Sequence, residues 1–331
     1  MLRSSMMLRR LAQLLPALAI STLVSAHGYV QQVTIDGTVY KGNNLNVGTP
    51  APSIIRLVNT NSPVKGAANP YINCGQDAQF ASLVGNANPG SQLEILWVGG
   101  TDGSSNWPHN TGPLMHYMTK CDGSCSTYNS TNSEWFKISE LGLQADGSTW
   151  YQANLNSRAP VNVTIPSTLA PGNYLLRTEI ISLQLAMSAG GAEFYPACIQ
   201  LQIGGSQTQG PTSSEECLFP GCYSDSDPGI LTPDIYNPPI QYTFPGPPVA
   251  SFIDGGSSSA APSSTGSVSG SSARTTSTFA NGPSSTIVVS STPSPTVTGQ
   301  CMLSGRSINE GVVKRDSRNK RMHKWRLVRS H

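Results

Sequence analysis

Histidines are the residues of this chain best suited to bind a metal, and only five are present. His323 and His331 lie near the C-terminal end, which leaves His27, His109 and His116 for the rest of the chain. Neutral imidazole is a good ligand for zinc, copper, iron and nickel. Any imidazole-based chemistry of a folded domain must therefore use these three residues.

His27 follows a segment with the features of a secretory signal. Residues 1–26 have a basic start, an apolar stretch and small residues before Ala26. Cleavage after Ala26 would leave His27 first, where its free α-amine and its ring offer a metal two nitrogens. The alternative, a retained membrane anchor, would bury the amine in a peptide bond. No later run of about 18 apolar residues exists, so we expect a secreted, extracellular protein with no membrane partner.

Composition divides the rest of the chain. Segment 27–250 holds nearly all the aromatic and aliphatic residues and predicts one folded domain. Segment 251–300 is rich in Ser, Thr, Gly and Pro and predicts a flexible linker, and 301–331 predicts a basic, disordered tail. Residues 27–204 contain seven Lys and Arg against ten Asp and Glu. The excess of basic residues that is typical of a nucleic-acid-binding protein is therefore absent from this segment, and no nucleic-acid partner is expected.

Seven cysteines in a secreted chain indicate disulfides. Their spacing suggests three pairs, which are Cys121–Cys125, Cys217–Cys222 and Cys74–Cys198. Cys301 is left over. Zinc binding by Cys121 and Cys125 is the alternative, and it lacks a second ligand pair at a matching spacing. Sequons at Asn129 and Asn162 are candidate glycosylation sites on surface loops.

Short apolar segments separated by Gly, Pro and Asn predict β-strands. These segments are 30–35, 53–58, 93–98, 161–165, 174–183 and 190–203. Asp36-Gly37 is a hairpin signal, and no long window has the 3.6-residue apolar period of an amphipathic helix. The pattern predicts an all-β fold, an antiparallel β-sandwich whose long loops can carry function.

Two stretches place polar groups where chemistry is possible. His109 lies in the turn-rich segment 107–113, where it is either a metal ligand or an ordinary hydrogen-bonded loop residue. His116 lies in a predicted strand and is expected to face solvent or a neighbouring side chain. In a strand, Glu193 and Tyr195 would share one face because side chains alternate. Taken alone, Tyr195 could equally be a half-buried core residue.

Three motifs in this order resemble the fungal lytic polysaccharide monooxygenases of auxiliary activity family nine, formerly glycoside hydrolase family 61. They are His-Gly-Tyr-Val after the signal, Trp-Pro-His-Asn-Thr-Gly-Pro-Leu-Met-x-Tyr-Met, and Gly-Gly-Ala-Glu-Phe-Tyr-Pro-Ala-Cys. The resemblance covers about 27–250. It implies an immunoglobulin-like β-sandwich with a flat active face and one type 2 copper ion, bound by His27 and His109 with Tyr195 on the axial side. Such nitrogen ligands suit Cu(II), and an α-amine with a pKa of about 8 readily releases its proton to a metal.

The resemblance also implies an activity. A copper monooxygenase or peroxygenase of this kind cleaves β-1,4-glycosidic bonds of cellulose or hemicellulose at C1, C4 or both, and takes O2 or H2O2 as co-substrate. It needs an external electron donor, either a small reductant or cellobiose dehydrogenase, and acts as a monomer. Tyr29 and Tyr236 are our candidates for stacking on sugar rings, with ordinary packing under loops as the alternative for each.

The chain departs from the family pattern beside the expected copper. Relatives usually carry a histidine and later a glutamine, where this chain has Gln184 and Glu193. An amide can orient an oxygen species but cannot give up a proton as imidazolium can. We hypothesise that Glu193 takes over part of that work, because a partly buried carboxyl group can have a raised pKa and donate a proton.

Two other classes of protein compete with this interpretation. A glycoside hydrolase would need two carboxylates facing each other across a cleft, and the few Asp and Glu residues show no such pairing. A non-catalytic carbohydrate-binding or copper-binding protein could use the same sandwich and the same histidines. The loss of histidine at Gln184 gives that second alternative some support.

Overall fold

Strands dominate the part of the chain that the structure, a computed structural model, describes, which is residues 27–253. The predicted signal segment, the tail with Cys301 and nearly all of the linker lie outside these described residues. The eleven strands are β1 Gly28–Ile35, β2 Thr38–Lys41, β3 Gly85–Ala87, β4 Gln92–Gly99, β5 Ser105–Asn106, β6 Leu114–Lys120, β7 Glu134–Leu141, β8 Val161–Thr164, β9 Gly172–Ser182, β10 Glu193–Ile203 and β11 Glu216–Leu218. The three short 3-10 helices are Pro70–Ile72, Tyr151–Ser157 and Ser213–Glu215.

The strands form two sheets that pack face to face. One sheet has the order β2-β1-β4-β5, and β8 also pairs with β4. The other has the order β11-β7-β6-β9-β10-β3, in which only the β10–β3 pair is parallel. Asp36 and Gly37, both with positive φ, make the predicted hairpin turn between β1 and β2. The all-β sandwich is confirmed.

Apolar side chains cover both faces of the six-stranded sheet. The core between the sheets includes Trp97, Ile180 and Tyr195. A second buried cluster lies on the outer face of this sheet and includes Phe194 and Tyr223. Strands β9 and β10 are consequently buried almost throughout, which explains why their sequences lack a clean alternation of polar and apolar residues.

The covering of the outer face comes from loops rather than from a third layer of strands. The proline-rich C-terminal segment is held there by the Ala250 amide, which donates to the Lys137 carbonyl at 3.0 Å. Beneath the loops, Arg177 and Glu179 form a fully buried ion pair at 2.6 Å, and the Arg177 guanidinium lies 3.8 Å from the centre of the Phe219 ring. Arg177 also donates to the Ile72 carbonyl at 2.7 Å. This ion pair therefore ties the Pro70–Ile72 helix to the sheet.

The prediction of a strand at 53–58 was wrong: Ile55 makes a single bridge to Ile199 of β10, and Leu57 makes another to Gln79. Of the two surroundings expected for His116, solvent was wrong and neighbouring side chains was right, because His116 lies on β6 opposite Thr178 of β9 and is fully buried. Neither of its ring nitrogens has a hydrogen-bond partner within residues 27–253. Its burial lowers its pKa to about 3.

Candidate functional site

His27 is held at the edge of the sandwich by contacts of its main chain. It directly precedes β1, and its carbonyl accepts hydrogen bonds from the Gly100 amide at 3.0 Å and the Asn61 side chain at 3.2 Å. Gly28 permits the close approach of β4, because a Cβ there would overlap the carbonyl of Val98. None of these contacts depends on a residue before His27, so the position is compatible with a chain that begins there.

His109 reaches the same place from the loop between β5 and β6. The Asn156 side chain, in the Tyr151–Ser157 helix, donates to the carbonyls of Trp107 at 2.7 Å and His109 at 3.2 Å. Trp107 is fully buried and anchors the loop in the core. The ring centres of His27 and His109 are 6.5 Å apart.

Tyr195 of β10 lies next to both rings. Its ring centre is 6.2 Å from that of His27, and its Oη is 3.3 Å from Nε2 of His109. The Tyr195 hydroxyl also donates to Oε2 of Glu193 at 2.9 Å. Burial and the neighbouring Glu193 charge raise the pKa of Tyr195 far above its usual value, so the hydroxyl keeps its proton.

Glu193 is the centre of the hydrogen bonds behind these rings. Its Oε2 accepts from Gln184 Nε2 at 2.8 Å in addition to Tyr195, and Nε2 of His109 is 3.7 Å away. Its Oε1 is 3.2 Å from Nζ of Lys65. Sequence reasoning missed Lys65, because nothing in the polar loop around it indicates which strand that loop contacts.

The expectation of a raised pKa at Glu193 was wrong. Burial alone would raise the pKa of this carboxyl group, but the Tyr195 hydroxyl, the Lys65 charge and the Gln184 amide together lower it. All three stabilise the ionised form. Glu193 is therefore a carboxylate that accepts hydrogen bonds, and the hypothesis that it stores a proton for donation is not supported.

The two candidate stacking tyrosines have different environments. Tyr29 is 4 % exposed, packs against Leu45 and Val98, and donates to the Asn44 side chain at 2.9 Å. Burial, with Asp102 nearby, raises its pKa to about 12. The side chain therefore presents no ring to a sugar, and ordinary packing, the alternative given for Tyr29, describes it correctly.

Tyr236, in contrast, is 54 % exposed and lies beside the cluster of rings and carboxylate. Its hydroxyl donates to the main-chain carbonyl of Gln184 at 3.1 Å. Leu185 and Met187, in the loop that begins at Gln184, are also exposed. Leu185 and Met187 are apolar residues in a connection between two strands, and this feature of the sequence could have indicated an exposed apolar loop beside Gln184.

The structure pairs six cysteines as disulfides, namely Cys74–Cys198, Cys121–Cys125 and Cys217–Cys222. Because the sulfurs of Cys121 and Cys125 are bonded to each other, the zinc alternative is excluded. The Cys74–Cys198 bond ties the loop after the Pro70–Ile72 helix to β10, close to Tyr195. Asn129 and Asn162 are both exposed, as a glycosylation site requires. The expectation of a surface loop holds for Asn129 and was wrong for Asn162, which lies in β8 with its side chain exposed.

The donor atoms gathered here are two imidazole rings, one phenol and, after cleavage, one α-amine. Within residues 27–253 no group of three or more His, Cys, Asp or Glu side chains is arranged to hold a metal. A metal site at this place would thus depend on the amine of His27 as a third nitrogen. No helix in that same range is long and apolar enough to cross a membrane.

Comparison with known proteins gives a consistent result. The model of Auxiliary Activity family 9 (formerly GH61) matches residues 27–243. The AA9 family lytic polysaccharide monooxygenase D of Gloeophyllum trabeum is 49% identical over 247 residues, which cover 74% of this chain and 70% of that protein. The AA9 family lytic polysaccharide monooxygenase A of Thermoascus aurantiacus is 37% identical over 237 residues, which cover 67% of this chain and 99% of that protein.

Solved structures agree with these relatives. The extended catalytic domain of LPMO9A from H. jecorina superimposes with a TM-score of 0.62 at 33% identity, which covers 68% of this chain and 91% of that one. A cellulose-active polysaccharide monooxygenase from M. thermophila superimposes with a TM-score of 0.60 at 33% identity, covering 67% of this chain and 98% of that one.

Proposed function

Because this chain belongs to Auxiliary Activity family 9 and is a lytic polysaccharide monooxygenase, we propose that its mature form is a secreted copper enzyme that oxidises cellulose or hemicellulose at C1, C4 or both. The observation that carries this proposal is the meeting of His27, His109 and Tyr195 at one edge of the sandwich. We further propose cleavage after Ala26 and a catalytic domain at 27–250.

The residues fit a copper ion. Metal–nitrogen bonds to imidazole are about 2 Å long, so ring centres 6.5 Å apart leave room for one ion between His27 and His109. The α-amine of His27 would complete a set of nitrogen ligands of the kind that Cu(II) favours. The phenol of Tyr195, next to both imidazole rings, would lie beside the ion. When bound, copper would supply the redox chemistry by which O2 or H2O2 oxidises a C–H bond beside the glycosidic linkage.

The protein residues would orient and shield this chemistry. Tyr195 keeps its proton, and its hydroxyl donates to Glu193, so it presents a neutral oxygen. Gln184 donates one amide hydrogen to Glu193, and its second amide hydrogen would orient the O2 or H2O2 co-substrate by hydrogen bonding. On the exposed side, Tyr236 offers a ring face for stacking on a sugar. A polymer surface is the substrate that suits such an exposed site, with a small reductant or cellobiose dehydrogenase as electron donor and a monomer as the active form.

The test is to incubate the secreted, copper-loaded protein with a reductant and H2O2 on crystalline cellulose and on xyloglucan. Mass spectrometry should detect aldonic acids, C4-oxidised sugars or both, and removal of copper by a chelator should abolish them. Release of unoxidised oligosaccharides without copper would instead indicate a hydrolase. Absence of any oxidised product from protein with bound copper would refute the proposal.

A second candidate is a non-catalytic carbohydrate-binding or copper-binding protein. The observation in its favour is Gln184 at the place where relatives usually carry a titratable histidine. Binding to cellulose with full copper occupancy and no product would support this candidate.

A further inference from the structure

Lys65 makes three contacts at its ammonium group, all with one short stretch of chain. Its Nζ lies 3.2 Å from Oε1 of Glu193 and donates to the carbonyls of Gly191 at 3.1 Å and Ala192 at 3.4 Å. An ammonium group has three hydrogens, and these contacts use all of them. Although its side chain is 46 % exposed, Lys65 is therefore held in one position.

The backbone explains why Lys65 is there. Val64 and Phe194 exchange two main-chain hydrogen bonds, at 2.8 and 3.1 Å, although they are far apart in sequence. Lys65 and Glu193 are the neighbours of these two residues. The Cys74–Cys198 disulfide secures the same loop to the same strand. The main-chain pairing of Val64 with Phe194 and the disulfide therefore both hold the Lys65 loop against the strand that carries Glu193.

The two oxygens of Glu193 have separate roles. Oε1 faces Lys65, and Oε2 accepts from Tyr195 at 2.9 Å and from Gln184 at 2.8 Å. A carboxylate that lost its partner on Oε1 could rotate, and both donors on Oε2 would then lose their common acceptor. The direction in which the Tyr195 hydroxyl points its hydrogen depends on that acceptor.

We propose that Lys65 is a positioning residue, which holds the Glu193 carboxylate so that Tyr195 and Gln184 are fixed toward the metal side of the site. Supporting groups of this kind orient the ligands of metal sites and tune them. The consequence at copper rests on the proposed function, whereas the effect of Lys65 on the geometry of Glu193 does not.

The effect of Lys65 on folding is expected to be limited. An ion pair with a half-exposed lysine contributes little by itself, so removal of Lys65 should lower the melting temperature no more than Tyr195→Phe, which loses the same hydrogen bond to Glu193. Its effect should depend on the charge at Glu193. A neutral glutamine at 193 would gain little from an ammonium group, so Lys65 should matter much less in that background.

The test is a double-mutant cycle with Lys65→Met, Glu193→Gln and the double variant. Lys65→Gln serves as a second variant should Lys65→Met fold poorly, and Lys65→Arg tests conservative rescue. Lys120→Met is the matched control, because Lys120 is exposed at the end of β6. Each variant is crystallised without metal and examined with Cu(II) by electron paramagnetic resonance.

In Lys65→Met we expect the contact between Tyr195 Oη and Glu193 Oε2 to be lost, together with a shifted Cu(II) spectrum. Lys65→Arg should keep both close to wild type, and the double variant should match Glu193→Gln. The proposal is overturned if Lys65→Met keeps the contact, or if the loss of Lys65 changes the spectrum equally in the Glu193→Gln background. A wild-type protein that gives no Cu(II) spectrum would refute the proposed function, while the metal-free structures would still decide the role of Lys65.

Discussion

The hydroxyl of Tyr195 lies 3.3 Å from Nε2 of His109, although the two residues are 86 positions apart in the sequence. A long strand of the six-stranded sheet supplies the tyrosine, and a turn-rich loop pinned by Asn156 supplies the histidine. Trp107 packs edge-on against Tyr195, with ring centres 4.8 Å apart. This arrangement makes the site depend on the packing of the core.

A residue added before His27 should abolish copper binding and activity without loss of the fold. The extra peptide bond would remove the α-amine, while the contacts of the His27 carbonyl with Gly100 and Asn61 do not involve it. Titration calorimetry with Cu(II) and thermal unfolding of the metal-free protein measure the two effects. Copper affinity equal to that of the correctly cleaved protein would contradict the expectation.

Tyr195→Phe should lower turnover while copper still binds. The variant removes a hydroxyl that donates to the Glu193 carboxylate, and hydrogen bonds to charged groups contribute about 2 kcal/mol. We expect a loss of that order in the free energy of unfolding and a changed Cu(II) spectrum. Tyr174→Phe is the control, since the Tyr174 hydroxyl bonds to the main-chain carbonyl of Ala170 and not to Glu193. A changed spectrum in that control would argue against a local effect.

Tyr236→Ala should weaken binding to the polymer without destabilising the protein. The Tyr236 ring is mostly exposed, and exposed substitutions usually change stability by less than about 0.5 kcal/mol. Tyr29→Phe should do the opposite: it should destabilise the protein and leave polymer binding unchanged, because it loses a partly buried hydrogen bond from the hydroxyl to the Asn44 side chain, which contributes about 1 kcal/mol. Pull-down on cellulose and urea unfolding separate the two. Equal polymer binding by both variants would remove Tyr236 from the site.

His116 should make the protein less stable in mild acid. Its pKa falls from 6.5 in the unfolded chain to about 3 in the fold. The unfolded chain therefore binds the extra proton between these values, and stability is complete above pH 6.5 and declines toward pH 3. The slope from this one group is about 1.4 kcal/mol per pH unit.

His116→Leu should flatten that part of the pH dependence. Neither cross-strand neighbour of His116, Ser139 or Thr178, titrates in this range. Denaturant unfolding from pH 4 to 8 measures the slope in both proteins. An unchanged slope in the variant would show that other groups cause the acid sensitivity.

Removal of the Cys74–Cys198 disulfide should be costly. The bond spans 124 residues, and the loop-entropy relation gives about 5 kcal/mol for a loop of that length. The double variant Cys74→Ala/Cys198→Ala should unfold at much lower denaturant concentration than wild type. The double variant Cys121→Ala/Cys125→Ala, whose bond spans 4 residues, is the control and should lose less.

Local patterns in the sequence determined five of the six predicted strands, all but 53–58, and the hairpin at Asp36-Gly37. Alternating side chains also put Glu193 and Tyr195 on one face correctly. These are properties of neighbouring residues, which periodicity and turn chemistry express directly, whereas the set His27, His109 and Tyr195 came from motifs that resemble a known family.

Only the tertiary structure decided the environment of each group. The burial of Tyr29 and His116 is visible only in the structure. A strand pattern does not predict it, because the pattern does not specify which loops cover each face of a sheet. The tertiary structure also brought Lys65 to Glu193, and the charge of Lys65 helps to lower a pKa that burial alone would have raised. A pKa depends on all charges and donors within a few ångströms, and those neighbours come from segments whose meeting no local pattern specifies.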